Sequence, residues 1–331
     1  MLIIMKKYFY RRAILFAVFI LPFFCCQSQQ KEKAIYLADP TIFYDNSTYF
    51  LYGTEQNPEK GFPVLISKDL KKWYKGSKGT NYSYALEKGK HIFGTKGFWA
   101  PQVFSYKNKY YMLYTANESI AIAKSNTPYG PFIQEKVTVI PGSTKQIDPY
   151  LFVDGDGKKY LYHVRLGGGN KIYVAEFKDD FSGIKDETLK ECIYAERGWE
   201  NTKKVPAPPI TEGPTVIKHK GIYYLIYSAN DFRSIDYAVG YATSKSPFGP
   251  WIKYEKNPII DRHIIGRNGT GHGHLFKDAK GDYHYVFHTH NSDSLVIPRQ
   301  TFIIGLKFRY NKITNSDEII VNKNSLITPT M

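Results

Sequence analysis

Apolar and polar positions alternate in short runs along most of the chain, and one run pattern returns five times. Each return is a short apolar strand, a polar or glycine-bearing turn, and a second strand rich in tyrosine and aliphatic residues. The copies are PTIFYDNSTYFLYGT from Pro40, PQVFSYKNKYYMLYTA from Pro101, PYLFVDGDGKKYLYHV from Pro149, PTVIKHKGIYYLIYSA from Pro214 and GHLFKDAKGDYHYVFHTH from Gly273. Alternation bounded by Asn, Asp and Gly predicts β-hairpins. A third apolar segment follows every hairpin, and the second and fourth versions share a Ser-x-x-Pro-x-Gly-Pro turn. The copies start 61, 48, 65 and 59 residues apart, a spacing of propeller blades rather than helical repeats. Helical periodicity is absent outside the N-terminal segment. The pattern predicts an all-β, single-domain, five-bladed β-propeller over residues 34–331. An open β-sandwich does not predict a five-fold return of one motif.

The N-terminal segment reads differently. Lys6, Lys7, Arg11 and Arg12 precede an apolar run from Ala13 to Phe24, the layout of an export signal. That run is shorter than the roughly 20 apolar residues that span a bilayer. It closes on Cys25–Cys26, followed by QSQQKEK. Residues 1–26 are therefore expected to be a signal peptide with Cys26 as a lipoprotein cysteine, and residues 27–33 a short linker. The expected location is a bacterial membrane, facing the periplasm or the exterior, with plain secretion as the alternative. Cys192 would then be the one free thiol, which excludes a disulfide framework.

Charge adds little. The formal net charge is +15, and removing the four cations ahead of Cys26 leaves +11. There is no basic helix and no Arg/Lys run interleaved with aromatics, so no nucleic-acid partner is expected.

The candidate chemistry lies just before each copy. Asp39, Ala100, Asp148 and His272 stand immediately ahead of the repeat, and Glu212 stands two ahead of Pro214. A lone Asp-Pro is ordinarily a turn initiator. Three acids at the mouths of separate blades are poorly explained by turns, because a propeller gathers blade mouths around one axis. Proline is tolerated there, at the start of a strand. Cleaving a glycosidic bond takes one proton donor and one base or nucleophile, and a third carboxylate can raise the donor's pKa. Gly167 to Gly169 reads as a hairpin turn, because no helix or Lys-Ser/Thr follows as in a phosphate loop.

On ADPTIFYDNSTYFLYGT, PVLISKDLKKW, FWAPQVF, IDPYLFVDGDGKKYL, EGPTVIKHKGIYYLIYS and GTGHGHLF, the chain resembles glycoside hydrolase family 43 over residues 34–310. That family holds β-xylosidases, α-L-arabinofuranosidases and arabinanases. The resemblance implies a five-bladed propeller and single displacement with inversion. It makes Asp39 the general base, Glu212 the general acid, and Asp148 the residue that orients the acid and tunes its pKa. Trp99 would wall the sugar site, Phe62 would line the same pocket, and Arg299 would contact substrate. Core packing of the two aromatics and a surface arginine fit the same residues. His272 resembles a channel histidine that in relatives binds a calcium ion or a water cluster; a metal-free, hydrogen-bonded histidine fits equally. His288 and His290 share a strand face, but no carboxylate or cysteine joins them at zinc-ligand spacing.

The expected activity is an inverting glycosidase releasing pentose residues from polysaccharide or oligosaccharide, α-L-arabinofuranosidase first and β-xylosidase second, with no cofactor for the chemistry. The rival is a non-catalytic sugar-binding propeller of a polysaccharide-uptake system. Fructosidases are disfavoured because Ala-Asp-Pro-Thr and Glu-Gly-Pro replace their Asn-Asp-Pro-Asn and Glu-Cys-Pro motifs.

Overall fold

The five hairpins become the inner two strands of five antiparallel sheets. The structure is a computed structural model that describes residues 32–76, 84–196 and 198–331; the expected signal segment and Cys26 lie outside these. The inner strands are Ala38–Asp45, Trp99–Tyr106, Gln146–Val153, Thr211–His219 and Gly271–Lys277. Each pairs with the strand that follows its polar turn, and that strand pairs with the third apolar segment. Four of these sheets have four strands and the second has three. The fold is the predicted five-bladed β-propeller. Among the described residues the single α-helix is Arg262–Ile265, capped by Asp261.

Tyrosine is abundant because it fills the space between blades while its hydroxyl reaches polar backbone on the neighbour. Tyr162 donates to the Pro247 carbonyl at 2.7 Å, and Tyr52 donates to that of Pro128. Both prolines lie in the Ser-x-x-Pro-x-Gly-Pro turns, which explains why that turn recurs. Tyr224 likewise donates to the Asp317 carbonyl at 2.7 Å.

The ring closes by hydrogen bonds between distant parts of the chain. Lys33 and Met331 exchange N–H···O bonds, Trp73 N–H donates to Thr330 O, and Thr301 N–H donates to Ile35 O. The Thr301 hydroxyl also donates to Leu37 O. The segment leading into the first blade is thus stitched to the third strand of the fifth, which holds the five mouths around one axis.

Candidate active site

At every mouth the inner strand breaks register once: after Ala38, Trp99, Ile147, Glu212 and Gly271. The bulged residue has left-handed backbone each time, with φ of 47° at Asp39, 46° at Ala100, 54° at Asp148, 59° at Gly213 and 38° at His272. For a residue other than glycine this costs on the order of 1–3 kcal/mol. A following proline, present at four of the five, adds to the restriction. Bulges re-aim side chains, and here they bring Asp39, Asp148 and His272 together.

Glu212 stands one position before its blade's bulge, in keeping with its place two ahead of Pro214. The fourth bulge residue is Gly213, so Glu212 shares the register of Trp99; it lies opposite Ser228 as Trp99 lies opposite Thr115. A Cβ at Gly213 would stand 2.7 Å from His272 Cδ2. Glycine is needed there for its φ and for the approach of the ring.

Asp39 is surrounded by cations and donors. Arg299 Nη1 donates to Oδ1 at 3.1 Å and the Thr54 hydroxyl donates to Oδ2 at 2.7 Å. The Nδ1 atoms of His272 and His288 each lie 3.4 Å from Oδ1. Burial pushes this carboxyl upward, but Arg299, His272 and the Thr54 hydrogen bond outweigh it and hold the pKa far below the usual range. Burial and then Arg299 push the His288 pKa well down, leaving it a neutral acceptor for Asp39 N–H. Arg299 is no surface residue: its side chain is 15% exposed and its guanidinium lies 4.6 Å from the Phe232 ring centre.

Glu212 has neutral partners. Tyr237 donates to Oε1 at 2.7 Å and the Asn170 amide donates to Oε2 at 3.0 Å. Burial first, and then the Asp148 charge, raise its pKa to about 7 against the opposing effects of His272 and Tyr237. Asp148 Oδ2 accepts from Gly213 N–H at 3.2 Å and lies 3.9 Å from His272 Nδ1. Its pKa is also raised, by burial and by Asp39, against His272 and the Gly213 N–H. Burial opposes charge on His272, yet Asp148, Asp39 and Glu212 hold its pKa above the ordinary value.

These groups line a cavity of about 440 Å³. Asp39, Asp148, Glu212, His272, Trp99 and Arg299 all face it, with Tyr36, Ile147, Ile210, Phe232 and Ile297 as apolar walls and Glu55 and Asp231 as further acids. Phe62 must be corrected. It is 0% exposed, with its ring centre 6.0 Å from those of Phe98 and Tyr114, and it does not line the cavity. Its short strand Gly61–Pro63 pairs with Tyr84–Glu87, and the ring packs into the core cluster of Phe98 and Tyr114.

Tyr237, Asn170 and Thr54 were missed by sequence reasoning, and His288 was weighed only as a zinc ligand. Thr54, Thr115 and Ser228 recur at one hairpin position, a signal readable in the repeats; no spacing marks Tyr237 or Asn170.

The metal expectation is weaker. His272 Nε2 is buried without a hydrogen-bond partner. Among the described residues, no group of three or more His, Cys, Asp or Glu is placed to hold an ion. Calcium takes six to eight oxygen ligands, and one ring nitrogen does not match that shell. The zinc possibility fares no better, because His288 Nδ1 accepts from Asp39 N–H and His290 Nε2 donates to Phe232 O.

Residues 34–313 match the family model for glycosyl hydrolases family 43. Among solved structures, an endo-1,4-beta-xylanase from Bacteroides thetaiotaomicron is 40% identical with a TM-score of 0.80, covering 91% of this chain and 98% of that one. A thermostable family-43 glycoside hydrolase is 34% identical with a TM-score of 0.77, covering 88% and 95%. Among curated proteins, the beta-D-galactofuranosidase xynD of Aspergillus niger is 26% identical over 274 residues, 76% of this chain and 73% of that protein.

Proposed function

The chain belongs to glycosyl hydrolases family 43, and from that membership we propose that this glycosidase releases pentose residues from xylan- or arabinan-type chains, arabinofuranosides ahead of β-xylosides. Asp39 is the base that takes a proton from the attacking water, Glu212 is the acid that protonates the leaving oxygen, and Asp148 tunes Glu212. One observation carries the assignment: two carboxylates lining one cavity have pKa values pushed in opposite directions, Asp39 down and Glu212 up to about 7. Such a separated pair is what acid and base roles require.

The chemistry follows from the partners. Asp39 stays ionised and can accept a proton, while its two oxygens are held by Arg299 and Thr54. Glu212 keeps its proton up to near neutrality, and Tyr237 and Asn170 fix the plane of its carboxyl. With a water between base and sugar, single displacement inverts the anomeric centre. The furanoside preference draws on the Aspergillus relative, named for a galactofuranoside, while the more similar Bacteroides structure, named for a xylanase, supports the xyloside reading. Export and acylation at Cys26 remain part of the proposal, supported by the basic and apolar segments before that cysteine. Lipid labelling sensitive to globomycin tests that part.

A panel of nitrophenyl glycosides, with arabinan, xylan and arabinoxylan, tests the substrate, and NMR of the first-formed anomer tests the stereochemistry. Release of inverted arabinose or xylose is expected. Retention of configuration, or no action on any pentoside, would contradict the reading.

A further inference from the structure

The five bulges differ in what receives the bulge residue's N–H. Four are held by a side chain of the preceding blade: Ala100 N–H by Thr54, Asp148 N–H by Thr115, His272 N–H by Ser228, and Asp39 N–H by His288. The acceptors occupy one register position. Thr54 lies opposite Ala38, Thr115 opposite Trp99, Ser228 opposite Glu212 and His288 opposite Gly271. In the third blade that position, opposite Ile147, is Val164, which is 0% exposed and has no acceptor atom.

A buried N–H still needs a partner. The next bulge N–H, that of Gly213, donates to Asp148 Oδ2 at 3.2 Å. We propose that Val164 is a positioning residue: by offering no acceptor, it directs the Gly213 N–H onto Asp148 and fixes that carboxylate against the backbone next to Glu212. A hydrogen bond from an amide to a carboxylate is of the charge-assisted, stronger kind. It gives Asp148 one fixed donor among the charged groups around it, His272, Asp39, Arg299 and Glu212. This inference rests on the reading of Asp148 as the partner of the acid.

The test is Val164→Thr, a swap of similar shape that supplies the hydroxyl carried by Thr54 and Thr115 and gives Gly213 N–H another acceptor. On an unactivated pentose oligosaccharide, kcat is expected to fall about tenfold, the scale of one charge-assisted hydrogen bond, with KM little changed. An aryl glycoside with an acidic phenol should lose less. In an Asp148→Ala background the same swap should cost nothing further, because the carboxylate through which it acts is gone. Val174→Thr, the same swap within the same apolar cluster, reports the cost of burying a hydroxyl and should lower Tm without the loss of kcat. Val164→Ser, which supplies the hydroxyl as Ser228 does, replaces the threonine variant should that one not fold.

Wild-type kcat in Val164→Thr would overturn the proposal. So would an equal loss in the Asp148→Ala background, or an equal loss in Val174→Thr. If Asp148→Ala alone leaves kcat intact, the role of Asp148 fails; if it is damaging while Val164→Thr is harmless, only the Val164 proposal fails.

Discussion

Asp39 faces a guanidinium at 3.1 Å, a hydroxyl at 2.7 Å and two imidazoles, whereas Glu212 faces a phenol, an amide and the like charge of Asp148. Burial pushes both carboxyls in the same direction, upward. The partners therefore decide. On one side of the cavity the cations overcome burial, and on the other a second carboxylate adds to it. On the proposed roles, one repeat unit, bulged at each blade mouth, yields a base and an acid by what the neighbouring strands place beside it.

The contrast breaks most severely at Asp39. Asp39→Asn removes the base for every substrate, and kcat/KM is expected to fall by about two to four orders of magnitude on aryl glycosides and oligosaccharides alike. Glu212→Gln should separate the substrates. The loss is expected to be on the order of a hundredfold or more on an oligosaccharide, and much smaller on an aryl glycoside whose phenol leaves without help. Arg299→Met makes the two sides more alike by removing the cation that lowers the Asp39 pKa most. Asp39 should then titrate at higher pH, so an acid limb should appear at a pH where the wild-type profile is still flat. Asp148→Asn acts on the other side, and on an oligosaccharide should cost at least the roughly tenfold expected from loosening its Gly213 hydrogen bond. It takes away the like charge that helps Glu212 hold its proton, so the basic limb should move down in pH, but only partly, because burial is the larger cause.

Much of this contrast was legible in the chain. The blade spacing, with prolines marking four of the five strand starts, placed Asp39, Asp148 and His272 together, because a propeller turns equal register into a shared axis. Glu212 was found as well, one residue further back than the other acids, though the bulge at Gly213 that sets this offset leaves no spacing signal of its own. The partners that set the pKa values were harder to see. Arg299 meets Asp39 across 260 positions of chain and Tyr237 meets Glu212 across 25, through ring closure and strand pairing rather than through the repeat. Phe62 was misread because an aromatic near a blade mouth looks the same in sequence whether its ring faces the cavity or the core.

The pH dependence of kcat/KM on an unactivated pentose oligosaccharide, in the wild type and in Glu212→Gln, tests the central claim most directly. In the free enzyme Glu212 is protonated below about pH 7 and loses its proton above it, and kcat/KM reports free-enzyme ionisations. The account predicts a wild-type profile that is flat on the acid side down to the limit of the fold, because Asp39 stays ionised there. It predicts a fall above about pH 7, and no such fall in Glu212→Gln. The same basic limb persisting in Glu212→Gln would contradict it.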